Sequence, residues 1–226
     1  MRSKALLRGA AVTIVLGSSA AFANVVVVKS LGPSSKAYPP GKTLPEDAKI
    51  TLQGGDVVTV IGPNAAKTLR GPGNFSAGQA SLASAAGQRG RFGALRATDV
   101  AHNPSIWDID VSQSGKVCVS NASKLQLWRP NSEAEVTVNI RSADGTSQPL
   151  SWAAGKALAA WPAALPVKSG AEYQVEWPAT GESSNLELVA VNSPPADLVG
   201  AAQLLIENGC EKQLDLLVQS ASKSGK

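Results

Sequence analysis

The chain is poor in the side chains that do most biological chemistry. Its 226 residues hold one histidine and two cysteines. Ser, His and acid must meet for nucleophilic catalysis, yet no G-x-S-x-G elbow is present. His102, in "RATDVAHNPS" three residues after Asp99, reads as a turn contact and is expected to be dispensable. No catalytic residue and no cofactor is therefore expected. A metal site is not expected either, because one imidazole and two distant thiols lack zinc-site spacing. "LRGPGNF" (69–75) lacks both G-x-G-x-x-G and the GK[ST] ending of phosphate loops, and reads as a tight turn. The acids at Asp108/Asp110, Glu133/Glu135 and Glu172/Glu176 lie along single strands. Nothing in that spacing opposes two carboxylates across a cleft, as a glycosidase needs.

A strong charge imbalance is also missing. The formal net charge is +4, but Arg2, Lys4 and Arg8 precede a short apolar core, Gly9–Leu16, and the small-residue site Ala21-Phe22-Ala23. This is the pattern of a cleaved secretory signal over 1–23, which the segment fits better than an uncleaved anchor. Its removal takes three of the 21 basic residues and leaves 18 against 17 acidic ones. Nucleic acid is thereby a poor partner. The mature chain would start at Asn24, with no membrane anchor, in the periplasm.

In that compartment Cys118 and Cys210, the only cysteines, read as one disulfide docking the chain's end on a strand. The alternative is two buried free thiols.

Short β signals broken by turns fill 24–76: "VVVVK" (25–29), "KITLQ" (49–53), "DVVTVIG" (56–62) and "KTLRG" (67–71). A small β domain is expected there. Residues 77–104 read as an Ala/Gly/Ser-rich linker, and Lys67, Arg70, Arg89, Arg91 and Arg96 make this neighbourhood basic. These five are the candidate binding residues, for an anionic polymer or an acidic protein face. The alternative is a solvated linker, since Phe75 and Phe92 are the only aromatics available for stacking.

From 105 to 193 the pattern alternates: "IWDIDV" (106–111), "KVCVS" (116–120), "KLQLW" (124–128), "AEVTVNI" (134–140), "EYQVEW" (172–177) and "NLELVAV" (185–191). Period two predicts half-buried strands, hence an antiparallel β-sandwich of about seven. All five Trp lie here, against three Phe and two Tyr in the whole chain. They serve either as core bulk or, if exposed, as carbohydrate platforms. Residues 194–221 switch to a helical period that Asn208-Gly209 interrupts, predicting a helical tail. The expected fold class is mainly β.

"YPPGKTLPEDAKITLQGGDVVTVIGPNAAKTLRGPGNF" (38–75) resembles the FecR-type domain of bacterial envelope proteins, with its G-x-x-L entry, apolar alternation, Gly-rich turn and L-x-G-P-G-x-F-like close. The resemblance implies a β-rich envelope module without catalytic residues. The helical segment and membrane span of FecR-type regulators are not found in the sequence. The expectation is an exported, non-catalytic interaction or scaffolding protein of the envelope. The alternative is a module binding an anionic or carbohydrate envelope polymer.

Overall fold

The computed structural model describes residues 24–78, 103–120 and 124–223. Strand β1 (Asn24–Leu31) pairs antiparallel with β2 (Thr43–Pro45) on one side and β4 (Val57–Ile61) on the other. The edge beyond β4 is β5 (Ala66–Arg70). Across this sheet lies the two-stranded pair β3 (Lys49–Leu52) and β6 (Gly73–Ser76). Val25 and Val27 point into the core between them, beside Ile50, Leu52, Val58 and Leu69. Val26 and Val28 face the opposite way and are buried too. An unbroken run of β-branched residues is what a strand covered on both faces requires.

"LRGPGNF" contains the end of β5, a turn, and the start of β6. The turn is tight enough that a Cβ on Gly71 would lie 2.0 Å from the Gln53 carbonyl oxygen.

The second β unit is a sandwich. One sheet has the order β11-β10-β13-β14-β8 and the other β12-β9-β7. The strands are β7 (Ile109–Asp110), β8 (Gly115–Val119), β9 (Gln126–Trp128), β10 (Val136–Ser142), β11 (Ser147–Trp152), β12 (Leu158–Ala160), β13 (Ala171–Trp177) and β14 (Glu182–Ala190). Three differences from the sequence reading stand out. The pairs β14–β8 and β7–β9 are parallel, because the chain changes sheet between β7, β8 and β9. Strands β11 and β12 add to the predicted set. "IWDIDV" is a strand only at Ile109–Asp110. Before it, the Ser105 hydroxyl accepts from Trp107 N–H, the Asn103 side chain from Ser105 N–H, and the Ser105 carbonyl from Asp108 N–H. Such local bonds offer the backbone an alternative to a ladder.

Trp152 and Trp161 are buried in the sandwich and supply core bulk, and Trp128 is buried beside it. Trp161 donates its indole N–H to the Leu165 carbonyl (2.8 Å) and meets Tyr173 edge-on, centroids 4.9 Å apart.

Two helices, α1 (Leu198–Glu207) and α2 (Glu211–Lys223), follow β14. Asp197 caps α1 by accepting from Gly200 N–H at 2.8 Å. The helix ends in a Schellman motif: Gly209 N–H bonds the Ile206 carbonyl, Cys210 N–H bonds that of Leu205, and Gly209 takes φ +70. Both helices pack into a third core. It gathers Val26, Val28 and Ile61 from the first sheet, Cys118 and Val191 from the sandwich, and Ala202, Leu205, Cys210 and Leu217 from the tail. The tail therefore docks on both β units, not on the sandwich alone. No described helix is long and apolar enough to cross a membrane.

Candidate functional site

Strand β8 is the joint of the molecule. It lies at an edge of its sheet, and its alternation sends Val117 and Val119 into the sandwich and Cys118 into the helical core. Cys118 and Cys210 form a disulfide with Cα atoms 5.9 Å apart, well inside the reach of a bridge, and both residues are fully buried. The Schellman turn delivers Cys210 to this point, since it fixes the first residue after the left-handed glycine. One turn into α2, the buried Gln213 completes the joint. Its side-chain oxygen accepts from Cys118 N–H at 2.6 Å, and its amide donates to the Cys118 carbonyl at 2.8 Å and to that of Ile106 at 2.6 Å. A glutamine amide thus stands in for the neighbouring strand, closing an edge that would otherwise invite pairing with another chain.

The predicted basic residues do not converge. Lys67 is half-buried and Arg70 exposed on β5, and their odd spacing puts them on opposite faces of that edge strand. Arg89, Arg91 and Arg96 lie outside the described residues, as do Asp99 and His102. Trp107 and Trp177 are half-buried and the other three Trp buried, so no exposed indole platform exists.

The paired acids have separate surroundings. Asp110 accepts from the Ser112 hydroxyl and N–H and from Gln113. Burial raises the Asp108 carboxyl above its ordinary range. Glu176 meets Arg141 at 3.6 Å. Glu172 stands opposite Glu187, which pairs with Lys116 at 3.2 Å. Among the described residues, no three His, Cys, Asp or Glu side chains group as a metal site would require.

Two hollows flank this frame. One, of about 280 Å³, runs between β8 and α2, with Asp108, Lys116, Trp128, Lys212 and Asp215 in its wall. The other, of about 630 Å³, opens at the end of the sandwich where β7, β9 and β13 finish, and Arg129 lines it. Arg129 is only 6% exposed. Its Nε donates to the Lys156 carbonyl at 2.9 Å and Nη2 to that of Ala153 at 3.1 Å, and its guanidinium lies over the Trp152 ring at 5.7 Å. Burial lowers its pKa from the ordinary value. Nothing in the sequence marks this residue, which stands between Trp128 and Pro130.

Fold and joint together define a class: two β units clasped by a disulfide-anchored helical pair. Comparison with protein-family models, with curated proteins and with solved structures gives no match for this chain.

Proposed function

We propose that the chain is an exported, non-catalytic interaction or scaffolding protein of the bacterial envelope, working in the periplasm. The observation that carries this reading is the clasp: a buried disulfide and a third core shared by both β units and the helical tail. Such a core holds two sheet surfaces in a fixed relation, which is what a scaffold needs and what a substrate pocket does not. An oxidising compartment preserves a structural disulfide. The charged start and the Ala21-Phe22-Ala23 site agree with export. The FecR-type pattern over 38–75 points to the same compartment. The polymer-binding alternative draws no support from the five Trp, which form no exposed platform.

The decisive experiment immobilises the chain from Asn24 onward and passes its own envelope extract over it. A saturable protein partner retained by the oxidised form and released after reduction supports scaffolding. Retention of glycan or anionic polymer alone would favour the alternative, and turnover of an extract component would overturn the non-catalytic reading.

A further inference from the structure

The Arg129 hollow has the marks of a ligand site. Buried guanidinium groups are ordinarily matched by an anion, because taking an unbalanced charge out of water is costly. Here no carboxylate of the described residues lies within 4.0 Å of Arg129; the ion pairs found are Lys116–Glu187 and Arg141–Glu176. Two backbone carbonyls take two of its five N–H donors. The rest have no protein acceptor among the described residues. The side chain is a fixed cation, held by the Lys156 and Ala153 carbonyls and the Trp152 ring.

Around it the hollow is amphipathic. Val111, Val136 and Trp177 make apolar walls, and Glu135 and Glu182, both exposed, stand in the lining. Neither glutamate has an ion-pair partner among the described residues. The volume of about 630 Å³ falls within the usual range for small-ligand sites. A simple anion would meet Arg129 but also face two carboxylates. A simple cation would meet the carboxylates but face the guanidinium. A ligand carrying both charges on an apolar body answers the whole lining. We propose that this hollow binds a short apolar peptide with free termini, its carboxylate on Arg129 and its ammonium between Glu135 and Glu182. The half-buried Trp177 indole offers the ammonium a second attraction through its ring face.

The test titrates the oxidised chain from Asn24 onward with the tripeptide Ala-Leu-Ala, followed by the Trp177 indole and Val111 and Val136 methyl resonances. Saturable shifts confined to these groups are expected, with at least tenfold weaker binding of the C-amidated and N-acetylated forms. Glu135→Gln/Glu182→Gln, on exposed side chains, should weaken the free peptide several-fold and leave the N-acetylated form unchanged. Arg129→Gln should abolish the penalty of C-amidation. Should that variant fail to fold, the blocked peptides and the glutamate pair still decide the matter. Absence of saturable shifts at millimolar tripeptide, equal binding of all three peptides, or shifts away from the hollow would each overturn the proposal.

Discussion

At the scale of single residues, polar groups placed among apolar ones decide how the joints hold. Gln213 satisfies three backbone groups at once, those of Cys118 and Ile106. Gln213→Leu keeps the bulk but orphans them, and each buried polar group left without a partner costs about 1–3 kcal/mol. Chemical denaturation should show a loss of about 2–4 kcal/mol; a loss below about 0.5 kcal/mol would remove Gln213 from the clasp. Asp56 does similar work in the first unit, accepting from Ser34 N–H at 2.9 Å and Gln53 N–H at 2.6 Å. Ser34, through its hydroxyl and then its N–H, holds the Asp56 carboxyl below its ordinary 3.8. The Ser142 hydroxyl and Thr146 N–H hold Asp144 at about 2. A lowered carboxyl stabilises the fold above its unfolded value and loses that contribution as pH falls through the folded one. Melting temperature should therefore fall below about pH 4, and Asp56→Asn should flatten that acid limb while lowering the plateau. An unchanged limb would count against the role of Asp56. Neither residue was legible in sequence. A glutamine beside a helical stripe and an aspartate after two glycines look alike whether buried or exposed. The two cysteines were legible, because two is the smallest number that can pair.

Among elements, those with strong periodicity were legible and those defined by their neighbours were not. The four valines of β1, the alternation of β13 and β14 and the change to helix after Pro195 all carry patterns that burial imposes. Strands β2, β6 and β12 are too short to show alternation, and β11, whose burial does alternate, contains Pro149, which an edge strand tolerates. They are strands because a partner's ladder is there to receive them. The docking of the tail on β1 was hidden for the same reason, although the unbroken valine run is the signature of a strand with two covered faces. The disulfide spans 92 residues, a loop for which chain entropy predicts about 4–5 kcal/mol of stabilisation. Cys118→Ala/Cys210→Ala should lose most of that, with α2 amides exchanging first in hydrogen-exchange experiments. Uniform loss of protection across the sandwich would show that the tail is not the weakest part.

For the whole molecule, charge is unevenly spread along the chain. From Asn24 to Arg129 the sequence has 12 basic and 6 acidic residues, and from Pro130 onward 6 and 11. Fields of this kind steer encounters more than they hold contacts. Export predicts that material from the producing cell begins at Asn24, leaves on osmotic shock and shows no titratable thiol. A Met1-containing chain in the membrane fraction would contradict it. The fold also has a consequence in time. Val26 and Val28 find their cover only when Leu205 and Leu217 arrive, so the earliest strand of the sandwiching sheet must wait for the latest helices. Until then it offers a bare, β-branched ribbon to any passing chain. Long-range closure of this sort is slow. The interval before the tail folds is when the chain offers the most apolar surface to aggregation.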